Sequence, residues 1–147
     1  MKNQYTYPFG FREVAYNGEC NSIYTVNPGI PVSIAMEEVA CILDCIYSIL
    51  VNQPASGAHV DTVQSLVDIA RNEIHSVGIG GFTLADTAES AGNTLVDANN
   101  TLAQYWGEGK PIPIKANEEP LYGAMLLLNM AIGLCKSILE SCKRGLA

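Results

Sequence analysis

Basic residues are scarce in this chain: lysine and arginine number 8 in 147 residues, against 15 aspartates and glutamates, for a formal net charge of -7. A surface of that sign repels phosphate backbones, so nucleic-acid binding is not expected without a local basic patch. The nearest thing to one is Lys143-Arg144. Histidine is scarcer still. His59 and His75 are the only two, and on one helix they stand roughly 24 Å apart, too far to share a ligand. The opening residues Met1-Lys2-Asn3-Gln4-Tyr5 lack the apolar core of a secretory signal. The most apolar run, Leu121 to Cys135, is interrupted by Asn129 and followed by Lys136, and falls short of the roughly 20 residues that cross a bilayer. Five cysteines is an odd count, and their place inside apolar runs suggests packing rather than a disulfide framework. Together these absences predict a cytoplasmic protein that binds neither membrane nor nucleic acid.

What is present is apolar. Hydrophobic residues make up 48% of the chain and charged residues 16%, enough to build one core in a single domain spanning residues 1-147. Residues 1-30 read as an extended arm. Tyr5, Tyr7, Phe9 and Phe11 alternate with Thr6, Pro8 and Gly10, which places four rings on one side of an extended segment. Arg12-Tyr16 and Ser22-Val26 flank Asn17-Gly18, a pair that tolerates positive φ and predicts a short hairpin. Asn27-Pro28-Gly29 then breaks the chain.

Four helices follow. The first, from about Pro31 to Asn52, carries Met36, Val39, Leu43, Ile46 and Leu50 as one apolar stripe. The second, from about His59 to Val77, shows Val60, Val63, Val67, Ala70, Ile74 and Val77 on one face and Asp61, Gln64, Asp68, Arg71 and Asn72 on the other. The third begins at Thr83, with Asp86 complementing the open amides of its first turn. Its stripe, Leu84, Ala88, Ala91, Leu95, Ala98, Leu102 and Tyr105, holds three alanines and predicts close approach to a neighbour. The fourth is capped by Asn117, opens with Glu118, Glu119 and Pro120, and ends near Lys143-Arg144. Its first four turns are apolar all round, which predicts the most buried element. The expected fold is all-α: a four-helix bundle with a short N-terminal extended or β-hairpin segment. So much apolar surface also predicts a homodimer.

Pro31, Ala35, Met36, Ser48, Ile49 and Leu50 recur 89 residues later as Pro120, Ala124, Met125, Ser137, Ile138 and Leu139, a weak internal echo. The run Tyr24-Thr25-Val26-Asn27-Pro28-Gly29-Ile30-Pro31, with Ala35-Met36, Ala40 and Leu43 after it, resembles the opening of a small bacterial family common in pseudomonads and labelled as a domain of unknown function. Leu127, Met130, Ala131 and Leu134 resemble the Leu-x-x-Met-Ala-x-x-Leu of that family's second helix. The resemblance covers about residues 24-43 and 127-134. It implies that the first and last helices pair, with the middle two as an added hairpin, and it brings no activity and no site residues. This chain departs from the family in having those middle helices at all.

The chemistry-bearing residues point mostly to structure. Cys41 and Cys45 on the first helix and Cys135 and Cys142 on the fourth lack the tight knuckle spacing of a zinc site, and they interleave with Ile42, Leu43, Ile46 and Leu134. Packing is the expectation, with no metal and no cofactor. Cys20 sits beside Glu19, which opposes thiolate formation. Val77-Gly78-Ile79-Gly80-Gly81-Phe82-Thr83 follows a helical segment rather than a strand and has no lysine after it, so it reads as a connection, not a phosphate loop. Asp86, Glu89 and Asp97 read as a solvated surface. The aromatic arm is the remaining feature. Tyr5, Tyr7, Phe9 and Phe11 either cover the chain's own core, the simpler reading, or dock on another protein. The expected function is accordingly a non-catalytic protein-protein interaction module, such as an adaptor, inhibitor or immunity-type protein. A binder of a small apolar ligand is the alternative, and a small enzyme comes last.

Overall fold

A computed structural model describes residues 5-52, 58-76, 83-104 and 120-144. Two strands, β1 (Phe9-Tyr16) and β2 (Glu19-Val26), precede four helices: α1 (Val32-Val51), α2 (Ala58-His75), α3 (Leu84-Ala103) and α4 (Pro120-Arg144). Consecutive helices pack against each other, and α4 returns to α1, so the four form a ring. The backbones of the diagonal pairs, α1 with α3 and α2 with α4, do not meet. The protein is therefore an all-α four-helix bundle with an N-terminal hairpin.

The apolar stripes supply the core. Val39, Leu43 and Ile46 of α1, Val63 and Val67 of α2, Ala91, Leu95 and Leu102 of α3, and Leu128 and Ile138 of α4 are all fully buried. Their three-four spacing turns one side of each helix inward, which is the geometry of a 3.6-residue repeat. Thr83 caps α3, its hydroxyl accepting the Asp86 amide at 3.0 Å. Pro31 and Pro120 both stand at helix starts. Their fixed φ and missing N-H suit that position, so the internal echo marks two similar helix openings. The adjacency of α1 and α4 agrees with the pairing that the family resemblance implies, though any ring of four helices produces it. Val77, Tyr105 and the Asn117 cap lie outside the described residues, as does the glycine-rich connection up to Phe82.

Two expectations need correction, and a third holds with a limit. The hairpin is longer and tighter than the Arg12-Tyr16 and Ser22-Val26 arms suggest: Tyr16 pairs with Glu19 and Phe9 with Val26. Asn17 and Gly18, at φ 52 and 75, alone make the turn, and two consecutive positive φ values match the twist of the flanking strands. Second, α4 is the most buried helix, as expected, with 11 of its 25 residues buried, yet one side of it stays open. Met130 is 40% exposed, and Leu127, Ile132 and Leu134 are only partly covered. A helix has more circumference than α1, α3 and a two-stranded hairpin cover. Third, the cysteines divide. Cys135 and Cys142 are buried, but Cys41 and Cys45 are exposed, because Ile42 and Ile46, one residue further round the helix, take the inward positions.

By length and composition alone α4 could cross a membrane, and half of its most apolar window is buried inside the bundle.

Candidate interaction surface

Small hydroxyls decide where the N-terminal arm lies. Ser137, fully buried, donates to the Tyr7 carbonyl at 2.5 Å and accepts the Tyr7 amide at 3.1 Å. One helical turn on, the Ser141 hydroxyl donates to the Tyr5 carbonyl. The groups of Thr6 point the other way, as alternation along an extended chain requires. Its amide donates to the Ile30 carbonyl at 2.7 Å, and its carbonyl accepts the Gly29 amide at 3.2 Å. The buried Thr6 hydroxyl donates to the Asn27 carbonyl at 2.6 Å and accepts the Ile30 amide at 3.0 Å. The arm is thus stitched between α4 and the 27-31 turn, and the backbone needs of its buried middle are met on both sides.

Fixing the backbone leaves the rings to be placed by alternation. Tyr5 is 50% and Tyr7 37% exposed. The Arg144 guanidinium lies over the Tyr7 ring, 4.5 Å from its centroid. Lys136 stands 5.8 Å from the half-buried Phe9 ring. Phe11, half-buried, stacks on exposed Tyr24 at 5.5 Å and presses on Gly133, where an added Cβ would come within 2.9 Å of the ring. The four rings named from the sequence therefore divide. Phe9 and Phe11 lie on α4, while Tyr5 and Tyr7 are presented to solvent. Sequence reasoning missed Ser137 and Ser141, which hold the arm. The readable signal was two serines, four apart, on a helix otherwise suited to leucine.

Arg12 is held in the left-handed region at φ 61, a position that costs a non-glycine residue free energy. Its side chain reaches α4, where Nη2 donates to the Tyr122 hydroxyl at 2.7 Å. Beside the hairpin opens a cleft of about 320 Å³ lined by Phe11, Val26, Ile30, Ile34, Met130 and Leu134, with Glu38 its one carboxylate among the described residues. A second cleft, about 430 Å³, lies between α2 and α3 and includes Glu73, Asp86 and Thr87. Neither cleft joins His75 or Cys20 to a carboxylate among the described residues. No group of three or more histidine, cysteine, aspartate or glutamate side chains there is placed to hold a metal ion. Burial, followed by the charge of Glu73, pushes the Cys135 thiol up to about 12, and burial raises Cys142 as well. A thiol kept protonated is a poor nucleophile.

No protein-family model, no curated protein and no solved structure matches this chain.

Proposed function

We propose that this is a non-catalytic interaction module of the cytoplasm, an adaptor, inhibitor or immunity-type protein, that engages another protein through its N-terminal aromatic arm. The observation that carries this reading is the arm's construction: Tyr5 and Tyr7 are exposed while their own carbonyls and the Tyr7 amide are tied to Ser137 and Ser141. Rings on a fixed backbone lose little freedom on docking, so the ordering cost of a contact through them is low. Phe9 and Phe11 serve the same surface as its support. The test is capture from native lysate by the intact protein and by a Tyr5→Ala/Tyr7→Ala variant. The expected result is a stoichiometric partner held by the first and lost by the second. Equal capture by both, or none by either, overturns the reading.

A second reading, the small apolar ligand, is favoured by the hairpin cleft, whose size lies at the lower end of ligand sites. Native mass spectrometry of freshly purified protein showing a co-purified apolar molecule, displaced in a Met130→Trp variant, would support it. Clean unliganded protein argues against it.

A further inference from the structure

We propose that the cleft between α2 and α3 binds a small aliphatic diammonium ion. None of the residues lining it belongs to the arm, so this stands apart from the role of Tyr5 and Tyr7. The observation that points to a ligand is Thr87, which is only 4% exposed and lines the cleft. Its amide donates to the Thr83 carbonyl at 3.0 Å, but its hydroxyl has no partner among the described residues. Further along the same helix, the Thr94 and Thr101 hydroxyls donate to carbonyls four residues back, at 3.0 and 2.8 Å. A buried hydroxyl without a partner is uncommon. The little surface that Thr87 keeps faces the cleft, so a molecule seated there can reach its oxygen.

Charge names that molecule. Glu73 of α2 and Asp86 of α3 line the same cleft, and neither forms an ion pair among the described residues. The one lysine or arginine on α2 and α3 is Arg71. It is turned to Asp44 and Asp68 instead, at 2.9 and 3.4 Å. Asp86 has a structural duty at the open amides of α3. Glu73 has none of that kind: it is half-buried, near the carbonyl end of α2, and its charge reaches the enclosed Cys135 thiol. That helix end is itself partly negative, and the nearby Asp61, Glu89 and Asp97 add to a field that gathers cations. A bare divalent ion is a poor match. It takes six or more oxygens at once, and no group of three or more histidine, cysteine, aspartate or glutamate side chains among the described residues is placed to hold one. The volume, about 430 Å³, is that of a site for a small organic molecule. Ile69, 49% exposed at its edge, offers contact to a carbon chain. An ammonium at each end of that chain meets one carboxylate, and the Thr87 and Ser90 oxygens accept further N-H bonds.

Titration calorimetry of the full chain with 1,4-diaminobutane at low salt is expected to show one saturable site, tighter than about 1 mM. The single-headed 1-aminobutane should bind at least about tenfold more weakly. Glu73→Gln and Asp86→Asn should each weaken the diamine at least about tenfold. Thr87→Val, which keeps the shape and loses the hydroxyl, should weaken it about fivefold or more. Asp97→Asn, outside the cleft, should leave it unchanged. Circular dichroism and thermal melting confirm that each variant folds, and the two carboxylate variants keep the test open should Thr87→Val fail to do so. No saturable binding of the diamine overturns the proposal. So does equal affinity for 1-aminobutane, or tighter binding of magnesium or calcium chloride in the same titration. Binding that survives Glu73→Gln, or that is indifferent to Thr87→Val, overturns it as well, since an acidic surface collecting counterions behaves that way. Capture of a protein partner through Tyr5 and Tyr7 is a separate result.

Discussion

Cys135 lies fully buried on α4 with Gly92 of α3 across from it, where an added Cβ would sit 3.4 Å from the Cys135 Cβ. Burial first, and then Glu73, lifts its thiol from 9.0 to about 12. Unfolding exposes the thiol and returns it to its ordinary value, so above pH 9 the unfolded chain holds fewer protons than the folded one. Stability is intact below that point and falls as pH rises towards 12, with the first unit costing on the order of 1 kcal/mol. Urea unfolding of the wild type at about pH 8 and about pH 10 should show this loss, and Cys135→Ala should reduce it. Two glycines of α4 make a contrast at the same scale. At Gly123 nothing lies within 4 Å of an added Cβ, so Gly123→Ala should stabilise the protein by up to about 1 kcal/mol through helix propensity. At Gly133 the Phe11 ring occupies that space, and Gly133→Ala should cost about 1-3 kcal/mol as the stacked Phe11-Tyr24 pair is displaced. Thermal melts of the two variants should move in opposite directions.

Among elements, the N-terminal arm depends most on a few bonds. A two-stranded hairpin is marginal by itself, and β1 here gains support from Phe11 on Gly133 and Arg12 on Tyr122. The segment before it is held by Ser137 and Ser141. Ser137→Ala removes two hydrogen bonds and leaves the Tyr7 amide and carbonyl without that partner. The expected loss is about 1-3 kcal/mol, felt first as arm release. Ser137→Ala/Ser141→Ala should therefore speed proteolysis around residues 5-9 far more than the melting of the helices, measured by limited digestion beside helical circular dichroism. The helices themselves were legible before any coordinates: the stripe Val60, Val63, Val67 and Ala70 turns wholly inward, because period and burial are two views of one geometry. The route of the arm was not legible. Serine on an apolar helix carries no instruction about which distant carbonyl it will meet.

For the molecule as a whole, thiol exposure reports cooperativity. Cys41 and Cys45 face solvent and Cys135 is enclosed, so a maleimide should label the first two in the native state. It should reach Cys135 only through global opening. Labelling of Cys135 that rises with denaturant along the same curve as loss of helicity is the expected outcome, and earlier labelling would mean that α4 opens by itself.

By itself the sequence determined the helices, their inward stripes, the Thr83 cap and the Asn17-Gly18 turn, because each follows from neighbours within a turn or two of chain. It also marked the four rings as unusual. Only the tertiary structure decided that Cys41 and Cys45 face out while Cys135 faces in, that one side of α4 stays open, and that Tyr5 and Tyr7 rather than Phe9 and Phe11 reach solvent. Those outcomes depend on which helices stand beside which, and on hydrogen bonds between residues 130 or more positions apart. Local periodicity carries no record of either.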